Sequence, residues 1–179
     1  CDKSRLATVI TESKSGREAW RARVFIDATG DGDLGAFAGN GWDTGLGGHS
    51  CPCQPMTLNA LAVVRDAEAI REFISFYEYK GANGQISYGK HHRDAYGKLM
   101  EEIKRAGMTP SYGHPSIFQI RGNLVLLMLN HEYNVEAFDA DKITEATVRA
   151  RAEIHKIVHA LNALGGPWDG MQIAASAGQ

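Results

Sequence analysis

The succession of sequence patterns predicts an α+β fold, an interrupted α/β arrangement in which a hairpin precedes a mixed or antiparallel sheet with flanking helices. Three observations carry this expectation. Strand-like runs and helical periodicities follow one another in mixed order. A glycine-dense stretch from Gly39 to Gly48 separates the first strands from the later strands and helices. No internal repeat or low-complexity segment is visible.

The first element is a hairpin: Arg5 to Thr11 and Trp20 to Ile26 are strand-like, and Gly16 in the connection can supply the positive φ of a tight turn. Trp20, Ala22, Val24 and Ile26 share one face. The solid apolar run Val24-Phe25-Ile26 predicts that this second strand enters a sheet covered on both sides. Beyond the glycine stretch, Thr57 to Val64 reads as a strand. Asp66 is placed to cap a helix carrying Ile70, Phe73, Ile74 and Tyr77 at i, i+3, i+4 and i+7, with Gly81 past its end. A second amphipathic helix carries Tyr96, Leu99, Met100 and Ile103 on its apolar face and Lys98, Glu101, Glu102 and Arg105 on its wet face, with Gly107 as its stop. Ser116 to Ile120 and Leu124 to Leu129 flank Arg121-Gly122-Asn123 as a hairpin, and the apolar second strand is expected to be central. Thr144 can cap a long last helix with Ile154, Ile157, Val158 and Leu161, stopped by Gly165-Gly166-Pro167.

Composition narrows the function classes. The 179 residues, 44% hydrophobic and 22% charged, suit one ordinary globular domain or two small ones. A net charge of -2 leaves no basic excess for phosphate backbones, and the densest basic stretch, Lys90-His91-His92-Arg93, meets Asp94 at once, so nucleic acid is not the expected partner. The longest apolar run, Leu124 to Leu129, falls far short of the roughly 20 residues of a membrane span, so a soluble protein is expected. Cys1, Cys51 and Cys53 are too few for a disulfide framework, which favours a cytoplasmic compartment over an exported protein. Cys1 in place of Met leads to the expectation that the natural start lies elsewhere. A lipoprotein cysteine would also stand at a mature terminus, but a strand-like run from Leu6 leaves no tether.

The chemistry-bearing motif is Gly30-Asp31-Gly32-Asp33-Leu34-Gly35, which spells G-x-G-x-x-G after a strand. A dinucleotide turn needs a full crossover helix and an acidic ribose partner about 20 residues on. Leu34 to Ala38 is barely one turn, and Thr44 to Val64 holds no Asp or Glu, so a nicotinamide-type Rossmann dehydrogenase remains only the second alternative. Asp31-x-Asp33 is not a calcium loop, because Gly35 and Trp42 stand where ligands belong. Read from its residues alone, the segment favours a structural turn over a cofactor contact.

The string Ile26-Asp27-Ala28-Thr29-Gly30-Asp31-Gly32-Asp33-Leu34, with Ala38-Gly39 after it and Gln54-Pro55-Met56-Thr57-Leu58 beyond the glycine loop, resembles the bacterial FAD-dependent oxidoreductase family. Arg121-Gly122-Asn123-Leu124-Val125, Asn130-His131, and Asp139-Ala140-Asp141 leading into Thr144-Glu145-Ala146 agree in order, so the resemblance covers most of the chain. It implies that residues 1–40 are part of an FAD-binding domain and that 41–179 are a substrate-side domain, truncated at its C-terminus. It also implies that Ala28, Thr29, Gly30, Asp31 and Gly32 contact the cofactor, with the two glycines permitting backbone approach and Asp31 accepting from a ribose or ribityl hydroxyl.

The implied activity is hydride transfer between a small organic substrate and flavin N5. Family members open with a strand and a true G-x-G-x-x-G turn, which is absent here; an internal piece binding FAD poorly, with the rest of the parent chain as its partner, is therefore the expectation. The competing class is a non-catalytic binding module. Gln54, Thr57, Asn130 and His131 are substrate-side candidates by their donors and acceptors, and no catalytic base is identified. Cys51-Pro52-Cys53 with His49 is half a metal site at most, which His91-His92 could complete only if the fold brought it close. His155 and His159 lack the glutamate of a zinc-protease helix and read as surface residues, so no metal is assigned.

Overall fold

The computed structural model describes residues 5–43, 54–91 and 94–178, and the chain forms two compact units, Cys1–His49 and Ser50–Gln179. Together they make a mixed α/β protein of a two-strand hairpin, a six-strand sheet and three helices.

In the first unit, β1 (Val9–Ser13) and β2 (Gly16–Trp20) pair antiparallel, from Val9 opposite Trp20 to Ser13 opposite Gly16. Gly16 takes φ 101° to close the two-residue turn over Lys14-Ser15. The Trp20 indole N–H donates to Thr11 Oγ1 at 2.9 Å, tying the two strands together. The strands expected at Arg5 to Thr11 and Trp20 to Ile26 lie instead at Val9–Ser13 and Gly16–Trp20, so the second shares only Trp20 with the expected run, which corrects the sequence reading. A strand persists only where a neighbour takes its main-chain groups, and residues 21–28 have no ladder partner among the described residues. Val24 is 74% exposed and Ile26 86% exposed, so the apolar run is uncovered here instead of buried. The five-residue helix α1 (Asp33–Phe37) follows the turn.

The second unit is built on a sheet of order β5-β4-β6-β7-β3-β8. Its strands are β3 (Ala60–Val63), β4 (Ile74–Lys80), β5 (Ile86–His91), β6 (Ser116–Arg121), β7 (Leu124–Met128) and β8 (Gln172–Ser176). Every neighbouring pair is antiparallel except β4 with β6. Helix α2 (Ala95–Arg105) lies in the crossover between β5 and β6, and α3 (Ala140–Leu164) precedes the last strand. In β7 the alternation is plain: Val125 and Leu127 are buried, while Leu124, Leu126 and Met128 are half-buried on the opposite face. Val125, Leu127, Ile117 and Ala62 join Leu99 and Ile103 of α2 and Ile154, Ile157 and Leu161 of α3 in one core cluster. As expected, β7 is central and the hairpin turns at Gly122.

The expected helix from Asp66 to Gly81 does not exist. Asp66 caps only a turn, its carboxylate accepting from Glu68 N–H at 2.9 Å, and a single 3-10 turn (Arg71–Phe73) leads into β4. The segment Ile74-Ser75-Phe76-Tyr77-Glu78-Tyr79 is aromatic and alternates in character, which suits a pleated surface as well as it suits a helical stripe. Asn83-Gly84, with Gly84 at φ 80°, then turns the chain into β5, and β6 supplies the parallel partner on the other side. Two ladders satisfy the main chain across a sheet that a lone helix could not extend.

Smaller differences have similar causes. Strand β3 starts at Ala60 instead of Thr57, because the main chain of Leu58 pairs with the Asn130 side chain and not with another strand. Helix α3 starts a turn before the expected cap: Asp139 accepts from Lys142 N–H at 3.1 Å, and Thr144, inside the helix, donates to Ala140 O. Strand β8 carries too little apolar patterning to be foreseen. Gly107 does end α2, with Met108 N–H reaching Ile103 O and Gly107 N–H reaching Lys104 O.

Glu102 was expected to be simply wet, yet its carboxylate accepts from the indole N–H of buried Trp168 at 2.8 Å and from Arg105 at 2.6 Å. Those two donors, Arg105 foremost, hold its carboxyl below the ordinary glutamate value. Among the described residues no helix is long and apolar enough to cross a membrane.

Candidate functional site

The turn from Asp27 to Gly35 is organised by one carboxylate. Asp27 Oδ1 accepts from the Thr29 N–H at 3.0 Å and the Thr29 hydroxyl at 2.7 Å, and Oδ2 accepts from the Gly35 N–H at 2.8 Å. Thr29 Oγ1 in turn accepts from the Asp33 N–H at 2.8 Å, at the start of α1. The Asp27 carboxyl is thereby held below its ordinary value, first by the Gly35 N–H and then by Thr29. With both ends of the loop fixed to one side chain, Gly30 and Gly32 stand at φ 93° and 76°. A Cβ added at either would meet nothing within 4 Å, so it is the backbone conformation that calls for glycine.

Ala28, Thr29, Gly30, Asp31 and Gly32 are thus presented together on an exposed turn. Among the described residues, the N–H groups of Gly30, Asp31 and Gly32 carry no hydrogen bond. Helix α1 is no longer than the sequence implied.

The substrate-side candidates lie on two adjacent segments. Met56 bridges Glu132 antiparallel, which sets residues 56–58 beside 130–132. Asn130 is fully buried and its amide reproduces a strand's pairing, accepting from Leu58 N–H at 3.1 Å and donating to Leu58 O at 2.9 Å. Both of its polar atoms are thus engaged inside the fold. Thr57 is half-buried and lines a small cavity of about 60 Å³ with Met56, Leu58, Glu132 and the Ala146, Thr147 and Ala150 face of α3. Gln54 is exposed.

His131 is half-buried and stacks on Tyr112 with ring centroids 3.8 Å apart; burial pushes its pKa down, toward a neutral imidazole. Its main-chain N–H donates to Ser111 Oγ, and Ser111 donates from both its N–H and its hydroxyl to Glu153 of α3.

Sequence reasoning missed Asp27, Ser111, Tyr112 and Glu153. Only Asp27 left a signal, since Asp two residues before Thr is the signature of a side chain closing its own turn. His49, Cys51 and Cys53 lie outside the described residues, as does His92. His155 and His159 are exposed on α3.

A carboxylate-braced glycine turn beside a short helix, together with a mixed sheet backed by helices, defines an α/β protein that offers main-chain donors on a loop. The model of the FAD dependent oxidoreductase family matches residues 1–179, and the chain belongs to that family. No curated protein and no solved structure matches it.

Proposed function

We propose that the protein transfers a hydride between a small organic substrate and flavin N5, with residues 1–40 contributing to the FAD-binding domain and 41–179 forming the substrate-side domain. FAD, when bound, supplies the electron-accepting ring; the residues of this chain hold and orient. The observation that carries the reading is the Asp27-braced turn. A Cβ added at Gly30 or Gly32 would meet nothing within 4 Å, and among the described residues the N–H groups of Gly30, Asp31 and Gly32 carry no hydrogen bond, which suits a diphosphate or ribityl group approaching the backbone. Asp31, exposed on the same turn, has the acceptor a ribose or ribityl hydroxyl needs.

Family membership and the uncovered apolar residues support the division into a partial cofactor domain. Val24, Ile26 and Phe37 are 74%, 86% and 89% exposed, and no described residue of the first unit is buried. On the substrate side, Thr57 and His131 stand on two segments paired at Met56 and Glu132, with Asn130 holding Leu58 between them, and Gln54 is exposed two residues before that bridge.

Asp31→Ala tests the contact in the full-length protein. FAD affinity is expected to fall roughly tenfold, as for loss of one hydrogen bond to a charged group, with the fold unchanged by circular dichroism. An unaltered FAD dissociation constant would remove Asp31 from the site.

A further inference from the structure

The dipeptide Asn-Gly occurs twice in the chain, at Asn40-Gly41 and at Asn83-Gly84, and the fold sets the two in opposite surroundings. Such a step is chemically labile: the main-chain nitrogen after asparagine can attack the side-chain amide carbon, and glycine puts no Cβ in the way. Attack needs a following N–H that is free and a side chain able to swing onto it. All four residues are exposed, so hydrogen bonding and not access to water separates the two steps.

At Asn83 both groups are engaged. In the turn between β4 and β5 the Gly84 N–H donates to Gly81 O at 2.9 Å, and the Gly81 N–H donates to Gln85 O at 2.8 Å. The Asn83 amide is tied at both ends, Nδ2 donating to Gln85 Oε1 at 2.7 Å and Oδ1 accepting from the Gln85 N–H at 3.2 Å. Asn40 follows α1, and its own N–H donates to Gly35 O at 3.0 Å, closing the helix end with Gly39 at φ 91°. Restraint stops there. Residues 40–43 lie in no helix or strand, and among the described residues neither the Asn40 side chain nor the Gly41 N–H has a hydrogen bond. A Cβ built on Gly41 would meet nothing within 4 Å, so the space around the attacking nitrogen is open.

We propose that Asn40 is a site of spontaneous deamidation in the folded protein, and that the hairpin protects Asn83. The Gly41 nitrogen gives up its proton to water and bonds to Asn40 Cγ, the Cγ–Nδ2 bond breaks, and ammonia leaves. Water then opens the cyclic imide at one carbonyl or the other, giving isoaspartate or aspartate. Either product adds a negative charge. Asn40 Nδ2 and Asp27 Oδ2 each lie 3.5 Å from the position a Cβ on Gly35 would take, so the charge forms near the carboxylate that braces the turn. The chemistry stands independently of the proposed flavin contact.

The test is incubation of the full-length protein in mildly alkaline buffer, with peptide mass spectrometry following the amide-to-acid mass gain at each step. Conversion at Asn40 is expected to run about tenfold faster than at Asn83, where attack must first break hydrogen bonds. In urea the two rates are expected to converge. Gly41→Val is expected to slow conversion at Asn40 with the fold unchanged by circular dichroism, since Gly41 has no positive φ and has room for a side chain. An Asn40 that stays unconverted overturns the proposal, as does conversion at Asn83 that is equal or faster in the folded protein. So does a difference between the two steps that persists in urea, or an undiminished rate in Gly41→Val.

Discussion

Trp168→Ala is expected to destabilise the second unit by about 3–5 kcal/mol, the usual cost of removing a large buried aromatic side chain. Trp168 is fully buried in the 3-10 turn that follows α3, its ring centroid 4.9 Å from that of Phe73, and its indole N–H is bonded to Glu102 of α2. One side chain therefore joins the turn before β4, helix α2 and the end of α3. Alanine would leave a cavity among all three and take a donor from Glu102. Trp168→Phe keeps a ring in the cavity and loses only the hydrogen bond, so a smaller loss of about 1–2 kcal/mol is expected. Urea denaturation of the two variants measures both, and an unchanged midpoint for Trp168→Ala would show that the three elements are held by other contacts.

Asp27→Ala is expected to weaken FAD binding by the full-length protein more than Asp31→Ala does, by roughly ten- to a hundredfold. Asp31 is proposed to make one contact, whereas Asp27 fixes the shape of the whole turn through Thr29 and Gly35. Without it, Gly30 and Gly32 are free to sample many conformations, and binding must first order them. The pH dependence has a definite sign. The folded-state pKa of Asp27 is lowered, so the bracing is fully present above the unfolded carboxylate value of roughly 3.9 and is lost only as pH falls through the lower folded value. Order of the turn, followed by the amide resonances of Thr29 and Gly35, is therefore expected to survive mild acid and fail below that value. Equal FAD affinity in the wild type and Asp27→Ala would mean that the turn is not the cofactor contact.

Much of the second unit is legible in the sequence because its strongest patterns are unambiguous. The apolar run Leu124 to Leu129 fits no exposed element, and Leu99 and Ile103, one helical turn apart with Gly107 beyond, can only be an amphipathic helix and its stop. The segment from Ile70 to Tyr79 is different, since it holds a helical stripe and an alternating aromatic strand at once. Partner strands β5 and β6 decide between them, and only Asn83-Gly84 announced the first of these locally.

The first unit shows the converse. Val24-Phe25-Ile26 has the character of an interior strand, but character does not make a strand without a neighbour to pair with. At the candidate site, residues 28–32 were legible as a motif, whereas the brace was not. Asp27 reaches forward eight residues to Gly35, and Glu153 meets Ser111 across 42 positions. Such contacts depend on how loops and helices are carried through space, which no local pattern records.

The most direct measurement is the visible spectrum of the purified full-length protein after addition of FAD and removal of unbound cofactor. A retained flavin band near roughly 450 nm, bleached on reduction and diminished in Asp27→Ala, is the expected result. A protein that holds no flavin under these conditions, with its fold intact, would contradict the proposed function.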